Sequence, residues 1–413
     1  MRIKATLPGY RQIEKEVDSK KTVKDLKMAL CTELDIEPSL TRLLLNGEII
    51  PEKSRISKLK SFGGAIVVDY LWARHLIAWG TEGQRKIKMA TVLLAGAGAI
   101  GNEVSKNLAM LGLGHLFVVD RDIVELSNVS RMIFFKRTDL GKNKAEILAQ
   151  NVHERYPFVE TSAYRGDLES MPLKIYLDSD VIVSGLDNIV SRIYLSQISR
   201  KYSIPLIDGG IMGLTARVQS YVSSDAACPI CIFPPSQYSK IVGLRNPCDA
   251  PLEEQTVPSF STSISLVSSI IAQEVIKIIL GLEEYKKTKK WSDKSGEPLM
   301  PVLFMDLKNN RYTSMPLKKN QACFVCGKEG TTRSAASRFD LPLRNIPGGD
   351  NLEKAVRHVI GLQREKMTLF SETSAGERRI DGRSRNRLQK GDYIKVLVED
   401  READMNESIC RLT

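Results

Sequence analysis

The stretch Val92-Leu-Leu-Ala-Gly-Ala-Gly-Ala-Ile-Gly constrains this chain most. A short apolar run feeds directly into Gly96, Gly98 and Gly101 and then into a helical period, so the glycines fall at a strand-to-helix turn. Without side chains there, backbone amides at the helix N-terminus can approach phosphate or sugar. Further apolar runs, Leu116-Phe-Val-Val-Asp, Asp180-Val-Ile-Val-Ser and Pro205-Leu-Ile-Asp, alternate with helical periods. That alternation predicts an α/β chain with a doubly wound, Rossmann-like parallel sheet. Asp120 closes the second run 19 residues after Gly101, where a carboxylate accepts hydrogen bonds from ribose hydroxyls. Taken alone, the turn admits any adenine nucleotide.

At roughly 150 residues per domain, 413 residues hold two to four domains and a sizeable core. With 42% hydrophobic and 26% charged residues, collagenous and disordered classes are excluded. No apolar run approaches the ~18 residues of a spanning helix, and Met1-Arg-Ile-Lys-Ala lacks the apolar core of a signal peptide. The expectation is a cytoplasmic protein with no membrane partner. Lys and Arg outnumber Asp and Glu by 60 to 49, but acids interleave along the chain, so no nucleic-acid footprint is expected. Four of the seven cysteines form two Cys-x-x-Cys pairs, Cys228-Pro-Ile-Cys231 and Cys323-Phe-Val-Cys326-Gly. Two such knuckles together supply four thiolates to one tetrahedral zinc, a structural clamp across some ninety residues rather than a redox pair.

The chain divides at composition shifts. Residues 1–68 begin with alternating apolar positions on either side of Pro8-Gly9, a hairpin pattern. Val23, Leu26, Leu30 and Leu34 then recur at helical spacing behind Thr22, a capping residue. Arg42-Leu-Leu-Leu-Asn-Gly-Glu-Ile-Ile reads as two strands about an Asn-Gly turn, and Ala65-Ile-Val-Val as a last strand. In element order and in the stretch ending Leu-Leu-Leu-Asn-Gly-Glu, this β-grasp segment resembles ubiquitin. It cannot be a substrate in cis, because Gly63-Gly64 are followed by further residues and offer no free carboxylate. A docking or regulatory module is the expectation. Residues 69–330 hold the glycine turn, a strand at 213–222, a long irregular stretch to about 261, and a largely buried helix over 262–280. Residues 338–413 carry a helix at 351–361 and strands at Met367-Thr-Leu-Phe and Tyr393-Ile-Lys-Val-Leu-Val, a second ubiquitin-fold-like unit.

Beyond the glycines, Asp120-Arg-Asp122-Ile-Val-Glu-Leu-Ser-Asn128-Val-Ser-Arg131 is not how hydride-transfer enzymes continue. It resembles the adenylation domain of ubiquitin-activating enzymes, a superfamily that also contains the adenylyltransferases of sulfur-carrier proteins. Arg74, Lys144 in Gly-Lys-Asn-Lys, Asp187-Asn188 in Ser-Gly-Leu-Asp-Asn, and Arg192 follow in the matching order, so the resemblance spans about 70 to 328. It implies ATP bound at Gly96, Gly98 and Gly101, with Asp120 and Asp122 at the ribose and nearby site. Asn128, Arg131 and Lys144 would meet the phosphates, Asn188 would line the site, and Asp187 would hold magnesium. Arg74 would be supplied across a homodimer interface. Met132 and His75 stand where the family often has Gln, a departure that bears on local contacts only. The physical logic agrees: a carboxylate attacking an α-phosphate joins two anions, so cations must screen the charge, and no general base is needed.

Cys248, in Leu244-Arg-Asn-Pro-Cys-Asp-Ala-Pro, sits before the buried helix. Thioester-forming members of the resembled family place their acceptor cysteine in a comparable loop, and Arg245 would favour its thiolate. Cys31 reads as a small buried residue on a helix, and Cys410 and the histidines as incidental. The expected activity is adenylation of the C-terminal glycine of a ubiquitin-like modifier, a protein partner ending in Gly-Gly, followed by thioester formation on Cys248. The 338–413 unit would then recruit a conjugating enzyme, with Arg378, Arg379, Arg383, Arg385, Arg387 and Lys390 either steering an acidic partner or forming a solvated basic loop. The alternative is a sulfur-carrier adenylyltransferase without the thioester relay. A decayed scaffold and a nicotinamide oxidoreductase rank below both, because the phosphate-facing residues are present and no hydride-transfer pocket is.

Overall fold

The computed structural model describes residues 2–7, 9, 12–62, 65–222, 226–237, 258–299, 302–332, 335–343, 346, 352–361, 367–380, 388–399 and 405–413. The chain forms two units: Met1–Met89 with Leu111–Leu113 and Leu280–Gly296, and Ala90–Met110 with Gly114–Ile279 and Glu297–Thr413.

In the first unit, β1 (Arg2–Thr6), β2 (Gln12–Glu16), β3 (Thr41–Leu45), β4 (Glu48–Ile49) and β5 (Ile66–Tyr70) form one sheet in the order β2-β1-β5-β3-β4. β1 and β5 run parallel in its middle. Helix α1 (Val23–Leu34) starts at a reciprocal capping box: Thr22 Oγ1 accepts from Asp25 N, and the Asp25 carboxylate accepts from Thr22 N at 2.9 Å. Its buried Val23, Leu26 and Leu30 share the core with the inward residues Ile3, Ala5, Leu43 and Val68. Asn46 and Gly47, both with positive φ (53° and 86°), make the expected two-residue hairpin turn. Helix α2 (Ala73–Met89) follows, broken at Gly80 where φ is 71°.

The second unit is built on an eight-stranded sheet. Its parallel strands are β6 (Thr91–Ala95), β7 (His115–Val119), β8 (Glu160–Tyr164), β9 (Val181–Ser184) and β10 (Leu206–Met212). Antiparallel β11 (Thr215–Tyr221), β12 (Val302–Asp306) and β13 (Arg311–Met315) extend it in the order β13-β12-β11-β10-β9-β6-β7-β8. The crossovers are α3 (Ala99–Met110), α4 (Lys144–Arg155), the short α5 (Leu173–Leu177) and α6 (Ile189–Tyr202). Residues 92–95 of β6 and all of β9 are buried, which is why they read as continuous apolar runs. β8 was invisible to pattern because Glu-Thr-Ser-Ala-Tyr is a partly exposed edge strand.

Helix α7 (Ser261–Thr288) corrects one expectation: by length and composition it is apolar enough to cross a membrane. Within the second unit it is a core helix, with Ile264, Val267, Ile271, Val275 and Ile276 buried. Glu274, also buried, accepts from Ser220 Oγ at 3.0 Å and pairs with Lys277.

The C-terminal part contains β14 (Ser337–Leu341), α8 (Leu352–Ile360), β15 (Met367–Thr373), β16 (Gly376–Ile380), β17 (Tyr393–Glu399) and β18 (Met405–Leu412). The sheet runs β14-β18-β17-β15-β16, with β14 and β18 parallel. It shares the parallel pairing of first and last strands with the N-terminal sheet, but a single strand rather than a hairpin precedes its helix. One face packs Leu341, Leu352, Val356, Leu369 and Val396 into a common core. The other face meets the α5 and α6 side: Tyr393 Oη donates to Asp178 Oδ1 at 2.8 Å, and Tyr202 Oη to Glu407 Oε1 at 2.8 Å.

Candidate functional site

The glycine turn sits at the C-terminal end of β6, the edge at which doubly wound sheets bind ligands. Gly96 has φ 98°, and a Cβ there would stand 2.9 Å from the Gly185 carbonyl oxygen. A Cβ on Gly101 would stand 2.1 Å from Gly96 O, so only glycine lets α3 start this close to the strand. Gly98 faces open space, which leaves that side of the turn clear for a ligand. Asn102, which sequence reasoning missed, braces the turn: its Nδ2 donates to Ala97 O and Gly98 O at 2.9 and 3.1 Å, and its Oδ1 accepts from Phe134 N.

Asp120 lies where expected, at the end of β7. Its two oxygens accept from Ala97 N at 2.7 Å and Asp122 N at 2.8 Å. Burial raises its carboxyl above the usual range in spite of those donors and of nearby Lys144. Lys144 Nζ lies 3.1 Å from Asp122 Oδ2, so these two come together. Asn143, a further residue not singled out by sequence, ties them: Nδ2 donates to the carbonyls of Asp120 and Asp122, and Oδ1 caps α4 at Glu146 N. Its signal was available, since Asn is a favoured N-cap directly before a helical period.

Asn128 is buried in a turn, where Oδ1 accepts from Glu125 N at 2.9 Å; Arg131 Nη1 donates to Ser127 O at 2.7 Å. Asp187 is exposed on the β9–α6 loop and makes no ion pair among the described residues. Asn188 caps α6 through Ser191 N at 2.8 Å. The loop is joined to the end of β6, where the glycine turn begins, because Gly185 N donates to Ala95 O at 2.9 Å. Arg74 is exposed on α2 in the first unit, where the His75 ring lies tilted against Trp79, centroids 5.3 Å apart, and loses basicity through burial. Cys248 and Arg245 lie outside the described residues, as do Gly63, Gly64, Arg383, Arg385 and Arg387.

Cys228, Cys231, Cys323 and Cys326 converge, buried, with every Sγ within 4.8 Å of the others. Separations of 3.9, 3.8 and 3.3 Å link Cys228–Cys231, Cys228–Cys323 and Cys231–Cys326. Zinc bonds of ~2.3 Å in a tetrahedron require about 3.8 Å between sulfurs, so the donor set fits. The neighbouring thiols, and then burial, push Cys228 far above its ordinary range; a divalent cation reverses this by taking thiolates as ligands. A Cβ on Gly327 would meet Cys323 O at 2.5 Å, so the second knuckle needs the glycine that follows it.

Together these features make a doubly wound α/β nucleotide-binding protein with a four-cysteine clamp compatible with zinc. The ThiF family model matches residues 72–325, and the Ubiquitin family model residues 1–68. The chain belongs to the ThiF family and carries an N-terminal ubiquitin-like domain. It is 30% identical over 269 residues to the SAMP-activating enzyme E1 of Haloferax volcanii, covering 63% of this chain and 89% of that protein. To the NEDD8-activating enzyme E1 catalytic subunit of Saccharomyces cerevisiae it is 38% identical over 149 residues, 34% of this chain and 50% of that one. A sulfur carrier protein adenylyltransferase of Thermus thermophilus is 28% identical over 267 residues, with 62% and 88% covered.

Proposed function

We propose that this ThiF-family enzyme uses Mg-ATP to adenylate the C-terminal glycine of a ubiquitin-like protein. The observation that carries the reading is the grouping of Lys144, Asp122 and Asp120 beside the Gly96–Gly101 turn, with the Asp187 loop bonded to the end of β6 that feeds that turn. A carboxylate oxygen of the modifier attacks the α-phosphorus, the bond to the bridging oxygen breaks, and pyrophosphate leaves with the electron pair. Asp120 and Asp122 hold ribose and the adjoining site, while Asn128, Arg131 and Lys144 meet the phosphates. Asp187 fits magnesium by its donor chemistry, a solvent-facing carboxylate with no counter-ion among the described residues. Magnesium would supply charge neutralisation at the phosphates. Zinc in the cysteine clamp is structural.

The finer reading adds a thioester. The Cys248 thiolate attacks the adenylate carbonyl, AMP leaves, and the C-terminal part passes the modifier to a conjugating enzyme. The NEDD8-activating relative supports this step, whereas the sulfur-carrier relative supports an enzyme that stops at the adenylate. The half-reactions separate the two. Incubated with Mg-ATP and small β-grasp proteins ending in Gly-Gly, the wild type should give pyrophosphate exchange and a reductant-sensitive adduct. Cys248→Ala should keep exchange and lose the adduct, while Cys31→Ala and Cys410→Ala keep both. Cys410 is buried with its thiol pushed up to about 12, which suits an inert residue. An adduct mapped to Cys31 or Cys410 moves the assignment; exchange with no adduct in the wild type favours the sulfur-carrier reading.

A further inference from the structure

The β9–α6 loop is gripped from two sides. One side is the end of β6 and the turn it feeds: Gly185 N donates to Ala95 O, and a Cβ on Gly96 would stand 2.9 Å from Gly185 O. The other is a buried guanidinium. Arg192, in the first turn of α6, is 9% exposed and reaches three acceptors. It pairs with Asp208 Oδ1 on β10, donates to the carbonyl of Leu186, and donates to Gly209 O at 2.9 Å. Asp208 is 1% exposed and is held in turn by Arg217 of β11, whose Nη2 lies 2.8 Å from Oδ2. In the parallel register Asp208 stands opposite Ser184, the last residue before the loop.

We propose that Arg192, oriented by Asp208, is a positioning residue that sets Asp187 for magnesium. The inference rests on the assignment of Asp187 to that ion. The Leu186 carbonyl belongs to the peptide plane that ends at the Asp187 Cα, so fixing that oxygen fixes the plane from which the Asp187 side chain departs. Only a planar, multidentate donor spans a carboxylate and two carbonyls at once; a lysine ammonium is a point charge on a flexible stem. Arg192 itself is turned inward and touches no reacting atom. Outer partners of this kind typically change metal affinity ~10–100-fold.

The test is ATP affinity by calorimetry, with magnesium and with EDTA, on the full chain. The wild type should bind ATP more tightly with magnesium. Arg192→Lys should keep the EDTA affinity and lose about 10–100-fold of the magnesium gain. Asp187→Asn should lose the gain as well, and the double variant should lose no more than Asp187→Asn alone. Asp208→Asn supplies an independent reading if Arg192→Lys does not fold, with zinc content and unfolding temperature as folding measures. Arg192→Lys retaining the full gain, while Asp187→Asn loses it, overturns the positioning role and leaves the magnesium assignment standing. A fall in affinity equal in magnesium and EDTA marks a general structural role and also overturns it. Retention of the gain by Asp187→Asn overturns the magnesium assignment and the positioning role with it.

Discussion

Asp120 shows how a site residue is held against its own preference. Desolvation raises its carboxyl, and because the folded-state pKa is the higher one, its contribution to stability is present in acid and lost as pH rises through it. In the proposed site ribose hydroxyls would donate to the ionised form, so nucleotide binding would favour the carboxylate. ATP affinity should therefore fall on mild acidification, beginning above the pH range of a solvent-exposed aspartate. Asp120→Asn should bind more weakly and flatten that pH dependence in calorimetric titrations; an unchanged profile would place the titrating group elsewhere. Gly96, Gly101, Asp120 and Lys144 were legible because their chemistry is local to one strand, one turn and one helix start. Arg192 and Asp208 were not legible as a pair, because only the packing of α6 against β10 brings them together.

Among the elements, the two knuckles are legible for the same local reason, while their closure depends on the sheet between them. Their sulfurs lie in one core with Tyr202, Tyr393 and Ile409. Downstream, Arg200 Nε donates to Thr332 O and Ala336 N to Lys201 O, so Thr332 and Ala336, ahead of β14, are tied to α6. Loss of a structural metal is among the few changes that reach ~4–5 kcal/mol. Native protein is expected to hold one zinc per chain, and Cys231→Ser should lower the unfolding temperature sharply and abolish that zinc, measured by scanning calorimetry and metal analysis. Native protein free of zinc, or a variant as stable as wild type, would reject the clamp. The polar edge strands β8, β14 and β16 escaped sequence reading since partly exposed strands lack a buried alternation.

On the scale of the whole molecule, a ubiquitin-like domain precedes an adenylating ThiF-family domain in one polypeptide. The chain's own Gly63-Gly64 is internal and offers no free carboxylate for adenylation in cis. Arg74 belongs to the first unit, and the homodimer reading has it completing a partner's phosphate site. Asp187→Ala should abolish exchange and Arg74→Ala impair it, and verified mixed dimers should recover part of it, since one of the two sites then has both residues. No recovery would leave Arg74 acting within its own chain or not at all. The central claim, that a carboxylate attacks the α-phosphate of ATP, is tested most directly by oxygen transfer. A β-grasp protein ending in Gly-Gly, labelled with oxygen-18 in its C-terminal carboxylate, is incubated with Mg-ATP, and the AMP released by a thiol is weighed by mass spectrometry. The account predicts one labelled oxygen in each AMP; unlabelled AMP, or ADP and phosphate in its place, would contradict it.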